Sequence, residues 1–231
     1  MSVAPNVSHE RWNDRELIIA VSRAMEMFSH KRYADFLQQG GADCLTKEWF
    51  DWFVVTWTVA RTVAKEKRDD VRRYLDTTFR LAVLADRDGT VVDEAANFIG
   101  RQGWGANEVQ GGSSTAPVSL VSKIAFFLNS DTFIPFDSSA LRGINELRRT
   151  KREGGQGRLN NPSYRKYLAA FDAVFKASDS QVSALLEEPW VKVVSKHMGV
   201  GAQSISRRGF RRKVVDNLLM QRGGRQFTAN G

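Results

Sequence analysis

The chain is poor in the residues that form disulfides and metal sites. Its 231 residues include a single cysteine, Cys44, which excludes an intramolecular disulfide and a cysteine-based metal site. The three histidines, His9, His30 and His197, are scattered, and no two of them have the spacing of metal ligands. We therefore expect the protein to bind no metal and no other cofactor.

Long apolar runs are missing as well. No stretch approaches the roughly 20 apolar residues that a membrane helix needs, and the N-terminus does not join a basic segment to an apolar run, as a secretion signal does. We expect a cytoplasmic monomer without membrane contact. Two enzyme classes are also disfavoured. No segment fits the P-loop pattern G-x-x-x-x-G-K-[ST], and no histidine has a setting typical of a Ser/His/Asp hydrolase.

The sequence lacks a convincing alternation of apolar and polar residues, so it predicts no β-strands. Apolar residues recur instead at every third or fourth position along most of the chain, which is the spacing of amphipathic helices. Thr46 and Asp179 are candidate N-caps of two of these helices, and Pro162 is expected to open another at its first position. The pattern predicts an all-α fold.

Length and composition suit one folded protein of this kind. The 231 residues are 42% apolar and 26% charged, which is ordinary for a chain that buries a core. We expect a single unit over residues 1–231, which could divide into helical subdomains near residues 1–110 and 111–222. Residues 223–231 are expected to form a flexible tail.

Positive charge is concentrated in the second part of the chain. Residues 1–141 hold 16 Lys/Arg and 19 Asp/Glu, a balance of −3, whereas residues 142–231 hold 18 and 7, a balance of +11. Such asymmetry favours a polyanionic partner, most simply nucleic acid. A basic surface that serves only solubility is the alternative.

The most informative segment runs from Pro117 to Asn145. It places one lysine, Lys123, near the start of an apolar helix, and one carboxylate, Asp137, fourteen residues later, after the turn Ile134-Pro135-Phe136. A lysine and an aspartate at the two ends of a short helix-turn unit could excise a base from DNA. The amine would be the nucleophile, and the carboxylate would stabilise the cationic sugar that the departing base leaves.

This chemistry requires a neutral amine. An ordinary lysine has a pKa of about 10.4, so only roughly 0.04% of such side chains are neutral at pH 7. Partial burial and a position near a helix N-terminus both disfavour the ammonium form. The sequence gives Lys123 both features, because its helix could begin at Thr115, Pro117 or Ser119 and its neighbours are apolar.

Plainer interpretations stay open for each residue alone. An aspartate before a helix is most often only an N-cap, and Asp-Ser-Ser is a good capping sequence. A single lysine near a helix start is most often a solvated charge. The combination of both residues with the apolar helix and the Ile-Pro-Phe-Asp turn favours the catalytic interpretation.

Two short motifs carry a family resemblance. Ser122-Lys123-Ile124-Ala125, followed by Ile134-Pro135-Phe136-Asp137, resembles the catalytic segment of helix-hairpin-helix DNA glycosylases, especially the 8-oxoguanine DNA glycosylase branch. In that family the lysine attacks the sugar C1′ and forms a Schiff base, and the aspartate follows it and caps the next helix. The resemblance therefore assigns Lys123 and Asp137 these roles. Ser119 and Val121 stand where the family usually carries glycines.

The resemblance also implies a helical bundle with its active-site cleft between helical subdomains. The expected function is excision of a damaged or modified base, with or without strand-cleaving lyase activity, in repair or in defence against phage. The chain looks like a divergent branch. The small bacterial glycosylases of phage defence, which excise bases such as glucosylated hydroxymethylcytosine, are one candidate group.

DNA binding would require cationic contacts to phosphates and a pocket for an everted base. Trp104, in a Gly-rich loop before the active segment, is the aromatic residue that we expect to stack on that base; packing under the loop is the alternative. For the basic run from Arg207 to Lys213 the alternative is a solvated helix face. The candidate phosphate contacts are Arg142, Arg148, Arg149, Lys151, Arg152, Arg158, Arg207, Arg208, Arg211 and Arg212.

Three hypotheses follow from the sequence. The first is a DNA glycosylase. The second is a non-catalytic DNA-binding module with the same helical scaffold and basic face, and the third is a helical adaptor for an acidic protein. The sequence does not identify the target base.

Overall fold

A computed structural model of the chain describes residues 12–38, 45–57, 59, 62–105, 117–149, 157–201, 204–205 and 207–225. These residues are predominantly helical and contain no β-strand, only an isolated bridge between Val63 and Gly105. The predicted all-α fold is confirmed. The expected subdomain boundary near residue 110 and residues 226–231 of the expected tail lie outside the described residues.

The helices are between 6 and 23 residues long. A short 3₁₀ turn, Lys65–Lys67, precedes α4, and a π-helical segment, Leu75–Phe79, joins α4 to α5. The helices are α1 Asp14–Ser29, α2 Lys31–Gln38, α3 Lys47–Thr56, α4 Arg68–Tyr74, α5 Arg80–Ala85, α6 Thr90–Arg101, α7 Val118–Leu128, α8 Ser138–Arg149, α9 Tyr164–Leu186, α10 Pro189–His197 and α11 Arg208–Arg222.

The chain divides into two compact units. The terminal unit, which contains both chain ends, comprises Met1–His30, Asp137–Pro162 and Lys166–Gly231. The central unit comprises Lys31–Phe136 and Ser163–Arg165. One boundary between the units therefore falls at the peptide bond between Phe136 and Asp137.

The terminal unit is organised around α11, which packs against α1 and α8. Eleven of the fifteen residues of α11 are buried, as expected for a helix with neighbours on several sides. The backbones of α8 and α11 come very close at Gly143, where a Cβ atom would lie 2.1 Å from the carbonyl oxygen of Leu219. The contact repeats at Gly223, where a Cβ atom would lie 1.8 Å from the carbonyl oxygen of Ser139. Two glycines therefore permit the approach.

The central unit has an aromatic core. The Phe127 ring of α7 makes edge contacts with the rings of Trp49, Phe53 and Trp57, at centroid distances of 5.4, 5.5 and 5.2 Å. Helix α3 supplies the first two of these rings, and its C-cap supplies the third. The helix begins where expected, because the Thr46 side chain accepts a hydrogen bond from the Trp49 N–H at 3.1 Å. Aromatic rings packed edge to face stabilise a core beyond the area that they bury.

Helix α9 differs from its prediction. It begins at Tyr164, two residues after Pro162, and runs without interruption to Leu186. Its first N–H groups, those of Tyr164 and Arg165, donate to the Asp93 carboxylate at 2.7 and 3.0 Å, so a residue distant in sequence replaces a local cap. The prediction that Asp179 caps a separate helix is wrong. Asp179 lies within α9, and its carboxylate accepts a hydrogen bond from the Arg211 side chain at 2.7 Å.

Replacing Gly143 by Ala should destabilise the terminal unit. The added methyl group would overlap the backbone of Leu219, which cannot move aside as a side chain can, and overpacking of this kind costs about 1–3 kcal/mol or more. Urea denaturation would measure the loss. Gly201→Ala is the matched control, because a Cβ atom there would meet no other atom within 4 Å, and it should leave the unfolding free energy nearly unchanged. Equal stability of the two variants would contradict the close approach.

Candidate functional site

Helix α7 buries Lys123 within the central unit. All residues from Leu120 to Phe127 are buried, and Lys123, the sixth of the eleven residues of α7, is only 8% exposed. The interpretation of Lys123 as a solvated surface charge is therefore wrong. The lysine lies in the second turn of its helix, within the range that the sequence predicts.

The amine of Lys123 contacts the end of α3. Its Nζ donates a hydrogen bond to the carbonyl oxygen of Trp57 at 2.9 Å and lies 5.8 Å from the centroid of the Trp57 ring. Trp57 is the C-cap of α3, and carbonyl groups at a helix C-terminus are strong acceptors because they lack partners within the helix. The carbonyl and the ring of Trp57 thus hold the Lys123 amine in place.

Side chains fix the turn that precedes Asp137. Within the central unit, the Phe136 N–H donates to Ser122 Oγ at 2.9 Å, and Ser119 Oγ donates to the Phe136 carbonyl at 3.3 Å. The Tyr164 hydroxyl accepts from the Ile134 N–H at 3.1 Å and donates to the Ile134 carbonyl at 2.7 Å. Ser119 is thus one of the residues that hold the turn.

Asp137 caps α8 in the terminal unit, as predicted. Its Oδ1 accepts a hydrogen bond from the Ser139 N–H at 2.7 Å, and its own carbonyl accepts from the Leu141 N–H at 2.9 Å. Its Oδ2 lies 3.5 Å from Nη1 of Arg225, and the side chain is 22% exposed. One oxygen of the carboxylate therefore caps the helix, and the other faces a cation.

Helix α11 contains a buried ion pair that was not predicted from the sequence. Lys213 Nζ lies 2.5 Å from Asp216 Oδ2, and Asp216 is completely buried. Its Oδ1 has no hydrogen-bond partner among the described residues. Burial raises the pKa of the Asp216 carboxyl; Lys213 opposes this, and the charge of Asp137 adds to it. The i,i+3 spacing of Lys213 and Asp216 on a helix was the available signal.

Several predicted phosphate-binding residues meet in one cavity of the terminal unit. The cavity has a volume of about 600 Å³. Four of its arginines were predicted from the sequence; Arg222 and the three glycines were not. Lys151 and Arg152 lie outside the described residues. The cavity is lined by Arg142, Asn145, Glu146, Arg148, Arg149, Gly157, Arg158, Arg222, Gly223 and Gly224.

The remaining predicted arginines do not line this cavity. Arg207 and Arg208 are exposed, and the Arg208 guanidinium lies 5.1 Å from the centroid of the Phe175 ring. Arg211 is half-buried in its ion pair with Asp179.

The prediction that Arg212 contacts a DNA phosphate is wrong. The Arg212 side chain is only 1% exposed and pairs with Asp172, because α11 is buried on nearly all sides. It therefore cannot bind a DNA phosphate in this fold.

Trp104 packs against other aromatic rings of the central unit. It is half-buried, and its ring lies 5.8 Å from that of Phe98 and 6.4 Å from that of Tyr74. These contacts favour a packing role over the stacking role that we predicted for Trp104. The Gly-rich segment 106–116 lies outside the described residues.

Neither a metal cluster nor a membrane span is found in the described part of the chain. No three His, Cys, Asp or Glu side chains within these ranges come together as ligands. No helix within them has the length and apolar character needed to cross a membrane.

Replacing Tyr164 by Phe should destabilise the central unit. The substitution leaves the N–H and the carbonyl of Ile134 without the hydroxyl that bonds both of them, and an unsatisfied buried polar group costs about 1–3 kcal/mol. Chemical denaturation would measure the loss. Tyr74→Phe is the control, since it keeps the 4.5 Å stack on Phe98 and should be nearly neutral. Equal effects of the two substitutions would contradict the assigned role of the Tyr164 hydroxyl.

The stability of the protein should carry a pH dependence that Asp216 causes. Because burial raises the pKa of Asp216 above its ordinary 3.8, the folded state binds this proton more tightly than the unfolded state does. The resulting stabilisation is complete below the unfolded pKa and is lost as the pH rises through the folded one. Asp216→Asn cannot ionise and should not show this loss.

The test compares unfolding free energies between about pH 4 and about pH 8. The difference between Asp216→Asn and the native chain should move in favour of the variant as the pH rises. Glu187→Gln, which removes an 80% exposed carboxylate, is the control and should show no such trend. A difference for Asp216→Asn that stays constant with pH would refute the raised pKa.

Comparisons with known proteins give no match for this chain. No family model matches it, and neither a curated protein nor a solved structure matches it significantly. The likeness to helix-hairpin-helix glycosylases therefore depends on the two motifs around Lys123 and Asp137.

Proposed function

We propose that the protein is a DNA glycosylase that everts a damaged or modified base and cleaves its N-glycosidic bond. Lys123 is the proposed nucleophile, and Asp137 is the proposed carboxylate that stabilises the sugar cation. The observation that carries the proposal is the burial of Lys123, which is 8% exposed and whose amine is held against Trp57. The helix that carries Lys123 also fixes the turn leading to Asp137.

The setting of Lys123 supports a chemical role. Lysine is among the residue types that are least often buried, so the 8% exposure of Lys123 is unusual. Removal from water is one of the conditions under which a lysine amine becomes a nucleophile. The Trp57 ring lies 5.8 Å from this amine, and the carbonyl of the same residue, at the end of α3, orients it.

The setting of Asp137 supports the role of an electrostatic partner. Its Oδ1 is held by the backbone of α8, so the carboxylate cannot rotate freely. A fixed charge costs little reorganisation when a cation forms beside it, which is why preorganised groups lower a barrier. Its 22% exposure leaves the carboxylate accessible from solvent.

The proposed reaction balances as a displacement at C1′. The amine lone pair forms a bond to C1′ while the bond from C1′ to the base nitrogen breaks, and its electron pair leaves with the base. The base takes up the proton that the amine loses. Opening of the sugar ring then gives a Schiff base on Lys123, which hydrolysis returns to amine and abasic site.

The proposal extends to either repair or defence against phage, and the substrate is a damaged base such as 8-oxoguanine or a hypermodified cytosine. Release of the abasic site ends the reaction of a monofunctional enzyme. β-Elimination from the Schiff base would add lyase activity.

Borohydride trapping on DNA duplexes that carry a panel of damaged and virally modified bases tests the proposal. The native chain should form a covalent adduct with one member of the panel, because hydride reduces the Schiff base. Lys123→Gln should form none, and its amide can still donate to the Trp57 carbonyl. Lys47→Gln is the matched control; it removes a 72% exposed lysine of the same unit and should keep the adduct.

Asp137→Asn completes the experiment. Asn is as good an N-cap as Asp, so α8 should stay folded while base release slows by about 10²–10³-fold, the effect of losing one preorganised charge-stabilising group. Retention of the adduct in Lys123→Gln would refute the assignment of Lys123 as the nucleophile. Absence of base release by the native chain across the whole panel would count against the enzyme itself.

A non-catalytic DNA-binding module is the second candidate. The arginine-lined cavity favours it, since that cavity lies in the terminal unit and its lining does not include Lys123. Unchanged DNA binding by Lys123→Gln and Asp137→Asn, without base release by the native chain, would support this candidate.

A further inference from the structure

The cavity of the terminal unit has an unbalanced charge. Among the described residues, five arginines line it, and Glu146 is the only acidic residue that does. Glu146 pairs with Arg149 at 3.0 Å in an exposed i,i+3 contact, where an ion pair contributes little. The volume of the cavity, about 600 Å³, lies within the range of roughly 300–1,000 Å³ that small-ligand sites occupy.

Main-chain carbonyls hold two of these arginines in place. Arg142 donates from Nε to the Gly223 carbonyl at 2.8 Å and from Nη2 to Ser139 Oγ at 3.0 Å. Arg148 donates from Nε to the Gly157 carbonyl at 3.1 Å. A guanidinium has five N–H donors in a rigid fork, so these bonds orient each group and leave other donors for an anion.

The surroundings of Arg148 favour an anionic ligand. Burial lowers the pKa of Arg148, and no carboxylate among the described residues opposes this effect. An arginine nevertheless stays protonated in proteins, so Arg148 keeps a positive charge that its partial burial disfavours. Arg158, on the same cavity, has no hydrogen bond or ion pair with any described residue.

Main chain forms part of the cavity wall. Gly157 and Gly224 line it, and a Cβ atom at either position would meet no atom within 4 Å. Asn145 anchors the segment that carries Gly157, because its side chain bonds both the N–H and the carbonyl of Leu159, at 2.8 and 3.1 Å. Glycine allows a ligand to approach the backbone closely, as phosphate groups do in many sites.

We propose that this cavity binds the phosphate of a nucleotide unit through Arg142, Arg148 and Arg158. Arginine forks match phosphate oxygens in bidentate geometry, and the volume accommodates a sugar beside the phosphate. The phosphate comes from within a DNA strand or from a strand end. The choice of DNA as its source rests on the proposed function, whereas the phosphate assignment rests on the cavity alone.

The experiment measures the binding of labelled DNA oligonucleotides by fluorescence anisotropy across a salt series. The variant Arg148→Gln/Arg158→Gln should lower the affinity at least tenfold and reduce the slope of log K against log salt by about 1–2, because each phosphate contact contributes about 0.7–0.9. Arg87→Gln/Arg165→Gln removes the same charge from exposed positions of the central unit. It should change the affinity less than twofold.

Two further arms identify the source of the phosphate. A 5′-phosphorylated strand that binds at least tenfold more tightly than its unphosphorylated form would assign the cavity to a strand end, and thymidine 5′-monophosphate should then compete. Equal binding of the two strands would assign it to an internal phosphodiester. Arg158→Gln alone should reduce the salt slope by about 1, and since the Arg158 side chain is exposed, this variant is independent of any folding defect.

Three outcomes would overturn the proposal. The first is that Arg148→Gln/Arg158→Gln, the cavity variant, keeps the native DNA affinity and salt slope. The second is that both double variants lose the same affinity. The third is that a polyglutamate peptide binds as tightly as DNA and loses affinity in the cavity variant to the same extent. The last outcome would indicate an acidic protein partner. Failure of borohydride trapping, with cavity-dependent DNA binding intact, would refute the glycosylase and leave this site standing.

Discussion

The close approach of α8 and α11 is the constraint on which the terminal unit depends. Gly143 and Gly223 remove the side chains that would separate the two backbones, at Leu219 and at Ser139. This single contact has two chemical consequences. It brings the start of α8, with Asp137, into electrostatic range of the buried Asp216 on α11, and it brings arginines of α8 to the end of α11, where Gly223 accepts from Arg142. Packing and charge are thus set by the same pair of small residues.

The central unit is subject to a different constraint, because it buries a lysine within an apolar helix. A carbonyl at the end of α3 and the face of the Trp57 ring receive the Lys123 amine, and both are fixed by the aromatic core around Phe127. The same helix uses Ser119 and Ser122, which a purely apolar helix would lack, to hold Phe136. The polar residues of α7 therefore serve the amine and the turn, while its apolar residues form the core.

Sequence reasoning succeeded where the determinants are local. The helical periodicity, the Thr46 cap and the Asp137 cap all depend on residues within one turn of each other, and all three are confirmed. It failed where a partner is remote. The sequence around Asp179 is typical of an N-cap, but its carboxylate instead accepts a hydrogen bond from Arg211 of another helix. The residue that caps α9 is Asp93, which lies about 70 residues earlier in the chain. The burial of Arg212 and the meeting of Arg222 with Arg148 are likewise decided by packing that no spacing reveals.

The charge asymmetry of the chain gains a physical meaning from the division into units. Apart from Ser163–Arg165, the basic stretch 142–231 belongs to the terminal unit, whereas Lys123 belongs to the central unit. Phosphate affinity is an electrostatic property of many cations and weakens gradually as each is removed. Nucleophilic attack depends on one amine and is lost in a single substitution. If the chain excises bases, its binding and its chemistry are therefore encoded in separate parts of the sequence, and each can be abolished while the other is kept.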